Sequence, residues 1–308
     1  MNMANTSTET PKDEQGNSLH LNDTEFDDEY VPYFIGYFYI ISIVTAFSCL
    51  AGLMGNVKVI WLLSFCIKRN PFTTYILNLA VADLGTLLSD FVFMMAITFL
   101  TIESYIFFEL AEVFMFFTYN TSWYLLTALS LEKCLSVLLP VWYRCHRPER
   151  SSAMVSFLLW ILSSLLCGIL LLCHFQGSHC TEILNTICTV NFLICTPVMI
   201  VSSLTAWITI RRHSQGHQPP RLHVAILMTL LVSIIFDIPL SISFLFFTSE
   251  DFSMEELDAS YLFANINSSV NPLIYYLVGR DRKRQPRESL KVVLQRLFKD
   301  EGDPREGN

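Results

Sequence analysis

Seven long stretches of this chain carry almost no charged side chains, and this feature restricts its fold more than any other. Residues 30–57, 113–131, 151–181, 183–210 and 259–279 are uncharged, residues 70–102 carry only Asp83 and Asp90, and residues 222–249 carry only Asp237. About 20 apolar residues are enough to cross the hydrocarbon core of a bilayer as a helix. Because lipid offers the backbone no hydrogen-bond partner, the stretches are predicted to be helices rather than open strands.

The fold class predicted from these stretches is an all-α membrane protein, a seven-transmembrane helix bundle. Residues 1–32 are predicted to form an extracellular, disordered, acidic tail, residues 33–279 the bundle, and residues 280–308 a cytoplasmic tail with a short amphipathic helix on the membrane surface. The predicted spans are approximately 33–64, 72–99, 106–139, 151–174, 183–210, 222–248 and 259–279.

The composition excludes several classes of protein. Only 16% of the residues are charged, whereas a soluble domain carries roughly 25%. The formal net charge of −8 would repel a phosphate backbone, so no nucleic-acid partner is expected. Serine, histidine and acidic residues do not fall in a catalytic spacing and no phosphate-binding loop is present, so the chain is not expected to be an enzyme.

Basic residues predict how the chain is oriented in the membrane. Of the 20 Lys and Arg residues, 18 fall on the side of the spans that holds the carboxyl terminus, Lys58 lies within the first span, and only Lys12 lies on the other side. The positive-inside rule therefore predicts an extracellular amino terminus and a cytoplasmic carboxyl terminus. We accordingly expect a multi-pass protein of the plasma membrane. Asn5 and Asn22 begin acceptor sequons in the outer tail and are predicted to be glycosylated.

Short motifs recur in order on these spans. They are Gly55-Asn56, Leu79-Ala80-Val81-Ala82-Asp83, Trp160, Pro197, Pro239 and Asn271-Pro272-Leu273-Ile274-Tyr275. Together they resemble the rhodopsin-like G-protein-coupled receptors. Lys68-Arg69-Asn70-Pro71-Phe72, Trp142-Tyr143-Arg144-Cys145-His146-Arg147-Pro148 and Ile266-Asn267-Ser268-Ser269 are similar more narrowly to the Mas-related receptors.

The resemblance implies a ligand-gated switch. An extracellular ligand would favour a conformation whose cytoplasmic cleft binds a heterotrimeric G protein, with Glu132, Lys133, Pro239, Pro272 and Tyr275 in the coupling and activation machinery. Glu132-Lys133 stands where the family usually has an acid followed by Arg. Because lysine lacks arginine's rigid set of five donors, this departure predicts altered G-protein coupling or basal activity. The alternative is that the substitution has no effect on either. A transporter or channel is the alternative function, disfavoured by the odd number of spans and the lack of repeats.

The outer cysteines differ from the wider receptor pattern. Span three has no Cys at its outer end, and Mas-related receptors are similar in bridging the end of span four to the start of span five instead. The resemblance therefore implies a Cys173–Cys180 disulfide on the oxidising side of the membrane. A zinc site formed with the neighbouring histidines, a bridge from Cys188 and free thiols are the alternatives.

Acidic and polar residues on the outer half of the bundle predict the ligand. Glu112, Met115, Tyr119 and Ser122 share one helical face of span three, and ionisable residues inside a membrane usually face the bundle interior. Fifteen acids lie on the outer side of the membrane, which would steer a cation inward, although they could serve solubility alone. The predicted ligand is thus a basic peptide or cationic small molecule, contacted by Glu109, Glu112, Met115, Tyr119, Asp90, Glu182 and Asp237. Some Mas-related receptors place a Glu where this chain has Leu170.

A group of polar residues near the middle of the bundle predicts an ion site. Asp83, Ser122, Asn267, Ser268 and Asn271 match positions that hold sodium in related receptors, and oxygen ligands suit a hard cation. A hydrated polar network is the alternative. No other metal or cofactor is expected. Asp237, which stands where many receptors carry Trp, could add to the ion site, bind a ligand cation or stay protonated.

Overall fold

The computed structural model describes residues 30–96, 105–176, 180–213, 220–246, 254–281 and 288–299, and every regular element within these ranges is helical. Seven of the described helices are long and two are short. They are α1 (Tyr30–Phe65), α2 (Pro71–Met95), α3 (Tyr105–Leu138), α4 (Pro140–Cys145), α5 (Ser151–Gln176), α6 (Cys180–His213), α7 (Arg221–Phe246), α8 (Met254–Gly279) and α9 (Leu290–Lys299). The packing described below belongs to the compact unit Ile40–Asn308. In the other unit, Met1–Tyr39, the described part is the beginning of α1.

The predicted all-α fold is confirmed, and each predicted span corresponds to one long helix. The observed helices extend beyond several of the predicted limits: α6 runs three residues further at each end than the predicted 183–210, and α8 begins at Met254 rather than at residue 259. The short helix α4 was not predicted. Pro140 occupies its first turn, a position for which the fixed φ of proline is well suited.

Among the described residues, five helices are long and apolar enough to cross a membrane by length and composition alone, namely α1, α2, α5, α6 and α7. The other two long helices carry more polar residues. In α3, Asn120 and Ser122 are buried, and in α8, Asn265 and Asn267 are buried. These polar side chains lower the mean hydropathy of α3 and α8, but they are buried within the bundle, as polar residues inside a membrane usually are.

The start of α2 is fixed by its own sequence. The Asn70 side chain accepts a hydrogen bond from the Thr73 backbone N–H at 2.7 Å, and the Thr73 hydroxyl accepts one from the Asn70 backbone N–H at 2.7 Å. This reciprocal pair satisfies donors that have no partner within the helix. Pro71 occupies the first turn. The segment after Arg69 therefore enters the bundle as a helix at a defined residue.

Helix α3 lies at the centre of the bundle and contacts α2, α4, α5, α6 and α7. Gly85 allows α2 to approach it closely, since a Cβ there would lie 2.6 Å from the Thr118 Cγ2 atom. The Trp160 indole N–H donates to the Asn78 side chain at 3.0 Å and so joins α5 to α2. These contacts hold α2 and α3 side by side, and the side chains described below depend on that placement.

The short helix α9 packs against the ends of α7 and α8. Its Val293, Leu294 and Leu297 side chains are fully buried, so the apolar face predicted for a surface helix contacts protein. Arg296 donates two hydrogen bonds to the Glu288 carboxylate, at 2.8 and 2.9 Å. The predicted amphipathic carboxyl-terminal helix is therefore present, and an ion pair fixes its beginning.

Candidate functional site

The first candidate site is a small cavity of about 20 Å³, here called the upper cavity, on the side of the bundle where α3 begins. Two acidic side chains line it, Asp90 from α2 and Glu112 from α3. Met115 and Tyr119 continue the α3 wall, and α8 contributes Tyr261 and Asn265. Of the residues predicted to contact ligand, four line this cavity: Asp90, Glu112, Met115 and Tyr119. Their contact with a ligand stays a prediction.

Asp90 is held by a side chain that the sequence did not single out. The Asn265 amide donates to the Asp90 carboxylate at 2.7 Å and also contacts the Cys49 sulfur at 2.9 Å. The Ser48 hydroxyl donates in turn to the Asn265 side-chain oxygen. Asp90 therefore has a fixed orientation toward the cavity, because α8 and α1 both restrain the amide that binds it.

Below the upper cavity lies Asp237, which is 1% exposed. The Trp123 indole N–H donates to one of its carboxylate oxygens at 2.7 Å. The Tyr119 hydroxyl donates to the other at 3.3 Å, and the Asn267 amide contacts both oxygens, at 3.2 and 3.1 Å. Asp237 thus does not line the upper cavity itself but joins α3, α7 and α8 through Tyr119, which does.

Deeper in the bundle, Asp83 is 2% exposed. The Ser122 hydroxyl donates to one carboxylate oxygen at 3.0 Å, and the Asn271 amide donates to the other at 2.8 Å. The Ser268 side chain contacts Asp83 as well, so four of the five residues predicted to form a sodium site are joined directly. Asn267 binds Asp237 instead, while Ser268 is buried and its backbone carbonyl accepts from the Asn56 amide at 3.0 Å.

At the other end of α3, Glu132 contacts Tyr75 of α2 and the residues that follow α3. The Arg147 guanidinium lies 2.7 Å from the Glu132 carboxylate, with side-chain exposures of 7% and 10%. The Tyr143 hydroxyl of α4 donates to the same carboxylate at 2.5 Å, and Arg147 lies 5.0 Å from the centre of the Tyr143 ring. Arg147 also donates to the Ser152 hydroxyl. Glu132 therefore fixes α4 and the loop after it to α3.

The next residue of α3, Lys133, contacts α2. Its ammonium lies 4.5 Å from the centre of the Phe72 ring on α2, a cation–π contact. It also lines a second cavity, of about 20 Å³, together with Trp207 of α6 and His223 of α7. We call this the lower cavity. Its walls come from the ends of α3, α6 and the beginning of α7, which is the region where the sequence predicts coupling residues.

The prolines predicted to act in activation lie inside helices, Pro239 in α7 and Pro272 in α8. An interior proline removes one helical hydrogen bond and bends the helix. Pro272 is buried and contacts α1 closely, since a Cβ on Gly55 would lie 3.0 Å from the Pro272 ring. Tyr275, one turn beyond the adjacent Asn271, is 2% exposed.

The remaining predicted residues are spread over the ends of helices or lie outside the described residues. Glu182 is exposed in the first turn of α6, and Cys173 is buried near the end of α5. The Glu109 and Cys180 side chains, Asn5 and Asn22 fall outside the described residues. The disulfide and the glycosylation sites therefore stay predictions.

The sequence reasoning missed several residues that complete these sites. Asn265 and Tyr261 line the upper cavity, Trp123 holds Asp237, and Arg147 and Tyr143 hold Glu132. Trp123 lies next to Ser122, and Asn265 lies one helical turn before Ser269, so both stand beside polar positions on the inner faces of their helices. Arg147 gave no such signal, because it lies in the loop after α4 and its partner Glu132 lies on α3.

A helix bundle with a cavity at each end of α3 and a polar core between them is the architecture of a seven-helix membrane receptor. The comparisons with known proteins agree. Residues 55–275 match the model of the rhodopsin family of seven-transmembrane receptors. The chain is 40% identical to the rat proto-oncogene Mas over 277 residues, which is 83% of each protein. It is 41% identical to human Mas-related G-protein coupled receptor member D over 281 residues, 85% of this chain and 86% of the relative.

A third relative extends the match. Mouse Mas-related G-protein coupled receptor member H is 36% identical over 308 aligned positions, which cover 96% of this chain and 90% of the relative. The chain belongs to the rhodopsin family of seven-transmembrane receptors and, within it, to the Mas-related G-protein-coupled receptors. Family membership therefore favours receptor function over a transporter or channel.

Proposed function

We propose that this chain is a plasma-membrane receptor that binds a basic peptide or a cationic small molecule in the upper cavity and activates heterotrimeric G proteins in response. The observation that carries the proposal is the presence of Asp90 and Glu112 in the wall of one cavity. Both side chains are partly exposed, so a cation in the cavity can reach them. A cationic ligand there would be attracted by both carboxylates at once.

The lining of the upper cavity suits such a ligand, because two carboxylates and two aromatic rings share one wall. Tyr119 and Tyr261 offer aromatic faces, which attract a cation. Leu170 is 1% exposed and packs in the cluster of Val113 and Phe116. The negative charge for a cation must therefore come from α2 and α3 rather than from α5.

The charge distribution of the chain supports an orientation in which the upper cavity opens to the outside. Basic residues gather on the other side of the spans, while fifteen acids lie on the side of the upper cavity. An acidic surface raises the local concentration of cations and their rate of association. Epitope tags at the two termini, probed on intact and permeabilised cells, test this orientation, and detection of both tags on one side would refute it.

The lower cavity is the proposed contact for the G protein. It is lined by Lys133, Trp207 and His223 from three different helices, so relative movement of α3, α6 and α7 would change its shape. Since a ligand shifts the balance between two conformations only through different affinity for them, occupation of the upper cavity must be coupled to those movements. Tyr119 provides a physical link, because it lines the upper cavity and binds Asp237 of α7.

Sodium binding at the polar core is a further part of the proposal. Asp83, Ser122 and Asn271 already form one hydrogen-bonded group, and hard cations prefer oxygen ligands. A buried carboxylate among neutral donors is stabilised by a cation. Sodium would be expected to stabilise the purified receptor, and Asp83→Asn to abolish that effect.

The ligand proposal is tested with nucleotide exchange on purified G protein in membranes that contain the receptor, screened against basic peptides and amines. For an active ligand, Asp90→Asn and Glu112→Gln should each raise the half-maximal concentration by about tenfold or more, since losing one partner of a buried charge pair costs at least about 1.4 kcal/mol. The Met115→Leu variant alters the cavity wall without changing its charge and serves as the matched control.

Two further arms of this experiment separate the alternatives. Glu182→Gln removes an exposed acid, so it should reduce the association rate and its salt dependence, and it should weaken binding less than Asp90→Asn or Glu112→Gln does. A neutral analogue of the ligand should be insensitive to Asp90→Asn. The proposal is refuted if both carboxamide variants respond to every active cation like the original receptor.

A further inference from the structure

The lower cavity is closed in this structure. Its volume of about 20 Å³ is close to the roughly 10–15 Å³ that a single water molecule needs, so a segment of a G protein cannot enter until one wall moves. Four of the lining residues lie on the first three turns of α7: His223, Ile226, Leu227 and Leu230. The position of the beginning of α7 therefore decides whether this cavity is open or closed.

Lys133 of α3 cannot hold α7 in place through an ion pair. Residues 183–236 include nearly all of α6 and the first four turns of α7, and they contain no Asp or Glu. Lys133 and His223 line the same cavity, but both are bases, so no salt bridge can form between them. The attachment of α7 at this end of the bundle must involve another residue.

Arg221, the first residue of α7, contacts the end of α8. Its guanidinium donates a hydrogen bond to the backbone carbonyl of Gly279 at 3.2 Å, and Gly279 is the last residue of α8. The last carbonyls of a helix have no donor within the helix and carry partial negative charge, so a cationic donor is favourable there. Arg221 thus joins the beginning of α7 to the end of α8, two residues before His223 in the cavity wall.

The acceptor of this bond is held in place by α9. The Arg296 guanidinium also donates to the Gly279 carbonyl, at 3.3 Å, and a carbonyl oxygen can accept two hydrogen bonds. A Cβ on Gly279 would lie 2.6 Å from the Val293 Cγ1 atom, so α9 lies directly against this residue. Because Arg296 is also paired with Glu288, the carbonyl that Arg221 binds has a defined position.

Two further contacts join α7 to α8 in the other half of the bundle. The Ser243 and Ser260 hydroxyls lie 2.6 Å apart, and the Asn267 amide donates to Asp237. Pro239 lies between Asp237 and Ser243, and an interior proline removes one helical hydrogen bond. If the Arg221 bond breaks, that half of α7 therefore remains attached to α8, and the half that lines the lower cavity is the part that moves.

We propose that Arg221 is a positioning residue for G-protein coupling: its bond to the Gly279 carbonyl holds the beginning of α7 against α8 and so keeps the lower cavity closed while no agonist is bound. The inference rests on the proposed function, in which the G protein enters this cavity. It adds a residue that lines neither cavity. An agonist would have to favour a conformation in which this bond is broken.

Access to the lower cavity tests the proposal without a G protein. Ala206 of α6 lines the cavity and is only 5% exposed, so Ala206→Cys places a protected thiol in its wall. Mass spectrometry on the purified receptor, without ligand, measures how fast a charged, water-soluble thiol reagent modifies this position. Arg221→Met removes the donors but keeps an unbranched side chain, and it should raise the modification rate about tenfold, which corresponds to about 1.4 kcal/mol.

Two matched variants separate the role of Arg221 from a general loss of charge or stability. Arg212→Met removes a cation from the exposed end of α6 and should leave the modification rate unchanged. Arg221→Lys keeps a charged donor and should restore most of the protection. If Arg221→Met does not yield folded protein, Arg221→Gln, which is shorter and uncharged, takes its place.

Basal nucleotide exchange on purified G protein should rise in Arg221→Met together with the modification rate. An unchanged modification rate in Arg221→Met, an equal rise in Arg212→Met, or no protection by Arg221→Lys would overturn the proposal. A higher modification rate without any nucleotide exchange, basal or ligand-stimulated, would support the role of Arg221 in closing the cavity and would refute the proposed G-protein function instead.

Discussion

The ion pair between Arg147 and Glu132 gives the most direct test of the packing at the end of α3. Replacing Arg147 with Met removes the guanidinium but keeps much of the side-chain volume. Glu132, whose side chain is only 10% exposed, would retain the Tyr143 hydroxyl as a partner and lose its counter-charge. Removing one partner from a buried ion pair costs about 3–5 kcal/mol, because the other charge remains buried.

The expected magnitude lies at the lower end of that range. The pair is near the end of the helix, where a small movement would let water reach Glu132, so we expect a loss of about 3 kcal/mol. At about 2 °C per kcal/mol for a chain of this size, Tm should fall by about 6 °C. Thermal unfolding of the purified receptor, followed by tryptophan fluorescence, measures this shift.

A double-mutant cycle assigns the loss to the pair. Glu132→Gln removes the charge that Arg147 compensates, so the double variant should be more stable than the sum of the two single losses predicts, by at least about 1 kcal/mol. Arg211→Met is the matched control, since Arg211 is exposed and lies 4.5 Å from the centre of the Trp207 ring, and it should cost less than about 1 kcal/mol. A Tm within about 1 °C of the original for Arg147→Met, or strictly additive losses, would refute the reasoning.

Two further predictions concern coupling and helix packing. Lys133→Arg should raise agonist-stimulated nucleotide exchange severalfold, because arginine offers a rigid set of five donors in the lower cavity; unchanged exchange at equal expression would contradict this. Gly52→Ala should lower the stability of the purified receptor by about 1–3 kcal/mol, since the added Cβ would lie 2.8 Å from the Ser269 backbone Cα atom. Gly168→Ala is the control for Gly52→Ala, because no atom lies within 4 Å of its added Cβ, and it should be neutral or slightly stabilising.

The fold could be predicted because the bilayer requires a pattern that is written along the chain. A charged residue within a span is costly, so the apolar stretches mark the helices even without tertiary information. The helix α4 was not predicted, because it lies outside the membrane spans and has only six residues. The apolar face of α9 was predicted, but its burial against α8 was not, since the sequence does not say whether such a face meets lipid or protein.

The candidate sites were predicted only in part. Spacing along one helix placed Glu112, Met115 and Tyr119 on a shared face, and the cavity lies along that face. The spacing of residues along one helix does not predict which residues of other helices contact them. Asn265 binds Asp90 across 175 residues of chain, and no local pattern in either segment indicates the other.

The sequence by itself determined that the chain forms seven long helices, and through them its family, because the energetic cost of placing charge and unpaired backbone in lipid acts on each segment separately. Only the tertiary structure decided the partners of the buried charges: Arg147 for Glu132, Phe72 for Lys133, and Trp123 and Asn267 for Asp237. Hydrogen bonds and ion pairs act over about 3 Å. Which side chains come that close depends on how far each helix is rotated and how deeply it sits against its neighbours, and those values emerge only when all the helices pack together.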